Sequence, residues 1–181
     1  MASVWAHLQK YEEALNHDSA RDIGVSSHFP VLAAAVYKTQ GPILELGCGW
    51  GSTPMLKLMS RFGNRILESY DNNKEWADIF NAGHVERWDR WEPKEPYYGA
   101  CFIDCSPGEE RKLLIARLKD RAKFIVAHDH EAGSAAAYYY EHVTHLFKYA
   151  ETFRVLRPHT LVLSNVEPFG MSEWDMGKVY A

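Results

Sequence analysis

The chain has 181 residues, with 24 acidic and 20 basic side chains and a formal net charge of −4. This slight acidity provides no basic surface of the kind that binds nucleic acid or an anionic membrane, so neither partner is expected. A chain of this length can bury one sizeable core, and no linker-like stretch divides it. We predict a single domain over residues 1–181, with an N-terminal helical arm (1–40), a core (41–166) and a C-terminal tail (167–181).

The cysteines argue against a disulfide framework. Cys48, Cys101 and Cys105 are odd in number, and two of them lie in apolar, strand-like segments, as is typical of reduced thiols. The N-terminus lacks the basic and apolar regions of a secretory leader, and no apolar run approaches the roughly 20 residues of a membrane span. We therefore expect a soluble, unprocessed protein in the cytoplasm.

Two helices are predicted ahead of the first strand. Residues 2–17 place their apolar side chains on one helical face, and Val31 to Tyr37 forms the second helix with Ser27 as its N-cap. We expect both to pack against one face of a sheet, although the first can instead serve as a lid or as the contact of a homodimer. For His28 we favour a capping or packing role over a place in the functional site.

The most distinctive stretch is residues 41–59, where a short apolar strand, Ile43 to Leu46, runs into a glycine turn and then a helix. Either Ser52 or Thr53 can cap that helix. Glycines allow positive φ and close approach of the backbone to a ligand, and a helix N-terminus offers free N–H groups. Three glycines stand at alternate positions of the turn: Gly47, Gly49 and Gly51.

Strand and helix patterns alternate along the rest of the chain. This alternation predicts an α/β fold with a doubly wound, mostly parallel sheet of seven strands, closed by a C-terminal antiparallel hairpin. The remaining predicted strands are Arg65–Tyr70, His84–Trp88, Ala100–Asp104, Lys123–Ala127 and the hairpin pair Phe153–Leu156 and Leu161–Ser164. The remaining predicted helices are Glu75–Asn81, Glu109–Leu118 and Ala135–Lys148.

The segment Glu45-Leu46-Gly47-Cys48-Gly49-Trp50-Gly51 resembles the first motif of class I S-adenosylmethionine-dependent methyltransferases, E-x-G-x-G-x-G. The similarity extends over residues 41–166, because the order of strands and helices is also that of this Rossmann-like family. It implies a transferase of the EC 2.1.1 type in which the turn passes under the methionine part and ribose of S-adenosylmethionine. It also implies that Glu45 holds the cofactor's amino group through water or a neighbouring backbone group.

Asp71 ends the second predicted strand, 20 residues after Gly51. A carboxylate there can accept both ribose hydroxyls, a geometry shared with nicotinamide-dependent dehydrogenases. Those enzymes prefer G-x-G-x-x-G, and Ser52 stands at the third glycine position, so the spacing favours S-adenosylmethionine over a dinucleotide. By resemblance, Trp88 and Asp89 touch the adenine, although Trp88 can instead pack in the core. The predicted cofactor-binding residues are Glu45, Gly47, Cys48, Gly49, Gly51, Ser52, Asp71, Asn72, Trp88, Asp89 and Asp104.

Acids and imidazoles follow the fourth and fifth predicted strands. If these strands are neighbours, the carboxylates of Asp104 and Asp129 lie close together and need a cation or a shared proton. With His130 they can hold a divalent metal. The set resembles that of metal-dependent small-molecule O-methyltransferases, with His130 at the position of an expected Asn or Asp, and histidine suits zinc, manganese or iron better than magnesium.

Two other interpretations of this cluster stay open. Without a metal, His128 or His130 can act as a general base, or the whole set consists of solvated loop residues. The catalytic candidates are Asp104, Asp129, His128 and His130. Cys105 can be considered as a nucleophile, but no base and acid can be assigned to it from the sequence.

We predict an enzyme that transfers the methyl group of S-adenosylmethionine to a small molecule, to oxygen in preference to nitrogen. One alternative is an inactive protein that binds the cofactor as a regulatory partner of another enzyme. The other is a nucleotide-dependent enzyme of Rossmann type, which the glycine spacing disfavours.

Overall fold

The computed structural model describes residues 26–130 and 138–170. Its helices are α1 (Phe29–Tyr37), α2 (Ser52–Phe62), α3 (Lys74–Phe80), α4 (Arg111–Leu118) and α5 (Glu141–Thr144). Its strands are β1 (Ile43–Leu46), β2 (Leu67–Asp71), β3 (Gly83–His84), β4 (Tyr98–Ile103), β5 (Ala122–Ala127), β6 (Tyr149–Phe153) and β7 (Thr160–Ser164). The helix predicted over residues 2–17, with its lid or homodimer role, and most of the C-terminal tail lie outside the described residues.

The strands form one seven-stranded sheet in the order β3-β2-β1-β4-β5-β7-β6. Strand β1 pairs in parallel with both β2 and β4, so Ile43 lies opposite Leu67 on one side and Ala100 on the other. Strand β7 runs antiparallel to both β5 and β6. The predicted doubly wound sheet with a closing hairpin is confirmed. Its winding reverses between β1 and β4, which places the switch point at their carboxyl ends.

Both faces of the sheet are covered, which explains the nearly continuous apolar runs of its central strands. Side chains alternate between the faces along each strand. On one face Ile43 and Phe102 pack with α1 and with Leu56 of α2. On the other face Leu44 and Ile103 pack with the apolar side of α4. Even positions of β4 and β5 therefore point toward α1, which decides where the side chains after these strands project.

Two predicted strands are displaced in the structure. The third is only Gly83–His84, because Trp88 enters a short 3₁₀ turn, Trp88–Arg90, and buries its ring. The sixth lies earlier than predicted, at Tyr149–Phe153, and the preceding helix ends at Thr144. Strand β6 is a partly exposed edge strand with polar residues, so it lacks the apolar signal on which a sequence-based assignment depends.

Ser27 does not cap α1. The helix begins at Phe29 with His28 in the N-cap position, and no side chain caps it. The Ser27 hydroxyl instead donates to the carbonyl of Pro158, with an O···O distance of 2.6 Å. None of the helices within 26–130 and 138–170 combines the length and hydrophobicity that a bilayer span requires. The division into an arm, a core and a tail stays a prediction.

Candidate functional site

The glycine turn after β1 lies directly against the end of β4. Gly47 has φ +95°, and a Cβ atom added there would stand 2.5 Å from the backbone carbonyl carbon of Asp104. Its own N–H donates to Tyr70 at 2.9 Å, while the N–H of Asp104 donates to Leu46 at 2.9 Å. Both the positive φ and the backbone contact require glycine. This turn therefore joins the carboxyl ends of β1, β2 and β4 at the switch point.

Glu45 is fully buried beneath the turn, on the face that α2 covers. Its Oε1 accepts the hydroxyls of Ser52 at 2.5 Å and Thr53 at 2.9 Å, and Thr53 Oγ1 accepts the N–H of Gly49 at 3.0 Å. Ser52 and Thr53 thus lie inside α2 and bond to Glu45, and the N-cap position belongs to Gly51. Burial raises the pKa of Glu45 to about 7 despite these hydrogen bonds. Glu45 holds the turn in place through these hydrogen bonds and does not reach its outer surface. Any effect of Glu45 on a bound ligand is therefore indirect, through the backbone or the hydroxyl groups that contact Glu45.

Asp71 reaches the turn from the end of β2. Its Oδ2 accepts the N–H of Cys48 at 2.8 Å, and its Oδ1 accepts the N–H of Asn73 at 2.7 Å. The side chain of Asn73 in turn caps α3 by accepting from Glu75 and Trp76. Each carboxylate oxygen can accept a second hydrogen bond, so Asp71 is positioned by backbone donors and keeps acceptor capacity for a ligand.

An open cleft of about 160 Å³ lies between the ends of β2 and β4. It contains three of the residues predicted to bind the cofactor, Asn72, Trp88 and Asp89. The Trp88 ring is also a core residue, with its Nε1–H donating to Ser106 at 2.9 Å, so the cleft and core roles coexist. Asp89 pairs with Arg87 on the exposed rim. The full lining is Asn72, Glu86, Arg87, Trp88, Asp89, Pro107 and Glu110.

On the other side of Gly47, the buried guanidinium of Arg111 links the acids that follow β4 and β5. These strands are neighbours in the sheet, which meets the condition set above for the two acids to lie close together. One Arg111 nitrogen lies 2.8 Å from Asp104 Oδ1 and the other 3.1 Å from Asp129 Oδ2, and its Nε–H donates to the carbonyl of Cys105 at 2.8 Å. The guanidinium therefore lies between the two carboxylates and offsets their repulsion. The pKa of Asp104 is below its usual range, because His128 and Arg111 outweigh the opposing effect of burial.

His128 is buried and lies between both acids and α1. Its Nδ1 is 3.3 Å from Asp104 Oδ2 and 3.5 Å from Asp129 Oδ1, and its Nε2 is 2.9 Å from the hydroxyl oxygen of Ser27. Since the Ser27 hydroxyl donates to Pro158, its oxygen accepts from Nε2–H of His128. Burial lowers the pKa of His128, but the hydrogen bond and charge of Asp104 outweigh it and raise the pKa overall.

His28 completes this group from the start of α1. It is 2% exposed, and its ring lies 4.5 Å from that of Phe102 and 4.7 Å from that of His128, centroid to centroid. Neither ring nitrogen has a hydrogen-bond partner. Burial, together with the neighbouring His128, lowers the pKa of His28 to about 3. One ligand atom each of His28, Asp104 and His128 lie within 4.8 Å of one another.

His130 was predicted as a metal ligand, but it is not part of the group formed by His28, Asp104 and His128. Its Nδ1 is 3.0 Å from the hydroxyl of Thr152, and burial and the charge of Arg154 lower its pKa. The structure thus brings together Asp104, Asp129 and His128, and adds His28 in place of His130. Cys105 is buried beside them, and burial raises the pKa of its thiol to about 12, which leaves almost no nucleophilic thiolate near neutral pH.

The sequence signals for two members of this group were weak. Arg111 follows two acids at the start of a helix, where a charged residue is ordinary, and nothing in its spacing marks a buried cation. His28 precedes a helix by one residue, which suggested capping or packing. Its proximity to His128, 100 positions further along the chain, depends on α1 covering the end of β5.

No protein-family model and no curated protein matches the chain. Among solved structures, the plantazolicin methyltransferase BpumL in complex with SAH matches 88% of this chain and 95% of its own, with 14% identity and a TM-score of 0.50. The METTL16 methyltransferase domain matches 77% of this chain and 67% of its own, with 15% identity and a TM-score of 0.51. Monomeric WbdD matches 90% of this chain and 45% of its own, with 14% identity and a TM-score of 0.51.

Identities this low establish a shared fold and no shared chemistry. The strand order, the glycine turn at the switch point and the acid that ends β2 agree with the architecture to which the matches point. The chain therefore has the fold of the class I S-adenosylmethionine-dependent methyltransferases.

Proposed function

We propose that this protein binds S-adenosylmethionine at the glycine turn and transfers its methyl group to an oxygen atom of a small molecule. The observation that carries the proposal is the meeting of three features at one edge of the sheet. The Gly47 turn occupies the switch point, Asp71 and the cleft lined by Asn72 and Trp88 lie on one side of it, and the Asp104 and His128 cluster lies on the other. In this fold, a ligand outside the strand ends touches all three.

The residues of the cofactor half fit a zwitterionic nucleoside better than a dinucleotide. Asp71 has acceptor capacity for the ribose hydroxyls, and Asn72, Trp88 and Asp89 line the cleft into which the adenine would extend. Above Gly49 there is open space, since an added Cβ would meet only Ser52 Oγ at 3.9 Å. Glu45 supports this surface from below through Ser52 and Thr53. BpumL, a protein of similar fold, was solved in complex with SAH, which supports a cofactor of this class.

The acceptor half supplies what methylation of a hydroxyl needs. The cofactor brings a methyl group activated by its sulfonium, and the protein must position the acceptor in line with it and remove the acceptor's proton. Asp104 has the most exposed side chain of the three, at 27% against 19% for Asp129 and 6% for His128. We assign Asp104 to contact with the acceptor and His128, with Asp129, to proton removal. An amine that is already neutral would need no such group, which favours oxygen over nitrogen.

One observation favours a second candidate, a cofactor-binding protein without turnover. Arg111 satisfies both acids through ion pairs, and such a network can exist for structure alone. The free thiols of Cys48, Cys101 and Cys105 suit either candidate in a reducing compartment such as the cytoplasm.

Calorimetric titration with S-adenosylhomocysteine, and in parallel with NAD, tests the cofactor assignment. We expect one-to-one binding of the former and no heat from the latter. Folded protein that releases no heat with S-adenosylhomocysteine would refute the proposal. Transfer of labelled methyl from S-adenosylmethionine to a panel of small phenols, sugars and amines then separates the two candidates. Labelled phenol or sugar supports the enzyme, and binding without label in any compound supports the inactive binder.

A further inference from the structure

We propose that His28, Asp104 and His128 form a binding site for a divalent transition metal such as Zn²⁺, built from the residues that follow β4 and β5 and from the start of α1. The first argument is the state of His28. Burying an imidazole whose two nitrogens both lack partners costs free energy, since the lost hydrogen bonds to water are not replaced. The His28 ring is buried among aromatic rings, and neither of its nitrogens has a hydrogen-bond partner. A cation bound to one of these nitrogens would offset the free-energy cost of burying it.

The second argument is the direction of hydrogen bonds around His128. The Nε2–H group of His128 donates a hydrogen bond to Ser27, so a neutral His128 ring carries its lone pair on Nδ1. That atom lies 3.3 Å from Asp104 Oδ2 and 3.5 Å from Asp129 Oδ1. A lone pair facing two carboxylates is unfavourable unless a cation lies between them, either a proton on Nδ1 or a metal ion bound by both Nδ1 and Asp104 Oδ2.

The spacing suits a metal. Zinc bonds to nitrogen and oxygen of about 2.1 Å place the ligand atoms of a tetrahedral site roughly 3.4 Å apart. The His128 to Asp104 separation of 3.3 Å needs no adjustment. The His28 nitrogen lies within 4.8 Å of the other two ligand atoms, and no hydrogen bond holds its ring in place, so a small ring movement closes the set.

Outer contacts that orient metal ligands are already present. Ligating histidines usually donate their other N–H to an oxygen, and ligating carboxylates are themselves hydrogen-bonded. His128 donates to Ser27, which is fixed by Pro158, and Asp104 Oδ1 is held by Arg111. With neutral histidines, the two acids and one arginine leave a net charge of −1, which still attracts a cation. Asp129 and Tyr140 complete the surroundings through Arg111.

Two histidines and one carboxylate select the metal class. This donor set suits zinc, iron, manganese or cobalt and leaves coordination positions open, whereas magnesium prefers oxygen ligands alone. A metal here would lower the pKa of a hydroxyl bound to it. That catalytic use rests on the proposed methyl transfer, but the binding of the metal does not.

The test is calorimetric titration of the full chain, first treated with a chelator, with Zn²⁺, and with Co²⁺ to record its visible absorption bands. We expect one-to-one binding that weakens by more than about tenfold in both His28→Phe and Asp104→Asn. His142→Ala removes an exposed histidine outside the cluster and should bind as the wild type does. His130→Ala discriminates between the set proposed here and the set predicted from the sequence, which includes His130. If the proposed set is right, His130→Ala should bind Zn²⁺ as the wild type does.

Thermal unfolding shows whether a variant that fails to bind the metal is still folded. Phenylalanine suits the aromatic pocket around residue 28, so His28→Phe without metal should melt at or above the wild-type temperature. Added Zn²⁺ should raise the melting temperature of the wild type and not that of His28→Phe. The site is refuted if the wild type binds no Zn²⁺ and no Co²⁺, if His28→Phe binds as tightly, or if His130→Ala abolishes binding. Zinc binding without heat from S-adenosylhomocysteine would instead leave this site standing and refute the methyl-transfer proposal.

Discussion

The two sides of the Gly47 turn are stabilised by different forces. On the Asp71 side, the contacts that hold the turn are hydrogen bonds from backbone N–H and hydroxyl groups to the carboxylates of Glu45 and Asp71. On the Asp104 side, two acids, a buried arginine and two buried histidines form an ionic cluster whose members come from α1, α4 and the ends of β4 and β5.

From this difference we interpret the Asp71 side as a binding surface and the Asp104 side as a reactive one. Hydrogen bonds to the backbone fix the shape of a turn with little dependence on long-range contacts, as a cofactor platform requires. The ionic cluster depends on distant elements packing together, and both ring nitrogens of His28 lack a hydrogen-bond partner. Changes on the Asp71 side should therefore alter cofactor affinity, and changes on the Asp104 side should alter chemistry or global stability.

The largest expected effect is that of Arg111→Met. Removing the cation leaves Asp104 and Asp129 without the guanidinium that pairs with both of them, and breaking a buried ion pair on one side typically costs about 3–5 kcal/mol. Denaturant unfolding should show a loss of that size. Arg61 is exposed at the end of α2, so Arg61→Met should change stability by less than about 0.5 kcal/mol. Equal losses in the two variants would contradict the assignment of Arg111 as the centre of the cluster.

Gly47→Ala should destabilise the protein at the turn that lies between the Asp71 side and the Asp104 side. Alanine at φ +95° is strained, and its Cβ would press on the Asp104 backbone at 2.5 Å, which together should cost roughly 2–4 kcal/mol. Gly49→Ala is the matched control, because its φ is not positive and its nearest neighbour is at 3.9 Å. Unfolding free energies of the pair measure the difference. A Gly47→Ala protein as stable as Gly49→Ala would show that the close approach at the switch point is wrong.

Asp71→Asn should weaken cofactor binding more than it weakens the fold. Asparagine can accept from only one of the two backbone donors and loses the charge, so we expect affinity for S-adenosylhomocysteine to fall roughly tenfold to a hundredfold. Asp78→Asn, an exposed acid of α3 paired only with Lys74, should leave affinity unchanged. Calorimetry measures both. Unaltered affinity in Asp71→Asn would remove Asp71 from the binding surface.

Glu45→Gln should change the pH dependence of stability. The pKa of Glu45 is about 7 in the folded protein against an ordinary value of 4.5, so the folded state holds the proton more tightly than the unfolded state. Stability should therefore fall as the pH rises from about 4.5 to about 7, by up to roughly 3 kcal/mol from this residue. Glutamine still accepts from Ser52 and Thr53 but does not ionise.

The unfolding free energy of Glu45→Gln, measured between pH 4.5 and 8, should accordingly decline less steeply than that of the wild type. Asp78→Asn again serves as the control, with an unchanged slope. Parallel slopes for Glu45→Gln and the wild type would mean that Glu45 is less deeply buried than described.

The sequence predicted the parts of the molecule that are encoded locally. The strand, glycine turn and helix of residues 41–59 depend on neighbouring residues, and the alternation of strands and helices then determined which strand ends would meet. Asp71, Asp104 and Asp129 followed from that topology. Edge strand β6 was misplaced because its exposed residues carry no apolar pattern.

The contacts within the ionic cluster could not be predicted in the same way. Arg111 and His28 acquire their surroundings only when α4 and α1 pack on opposite faces of the sheet. The pairing of Ser27 with His128 likewise joins residues 101 positions apart, and no local pattern reports such a contact. The same limit explains why the metal set was expected at His130, which follows Asp129 directly in the chain.

A crystal structure of the complex with S-adenosylhomocysteine tests the central claim most directly. We predict that the ribose hydroxyls lie within about 3.2 Å of the Asp71 carboxylate, that the adenine extends along Asn72, Trp88 and Asp89, and that the sulfur faces Asp104 across Gly47. Ligand bound elsewhere, or bound with Asp71 out of hydrogen-bonding range, would contradict the division of this site into a binding side and a reactive side.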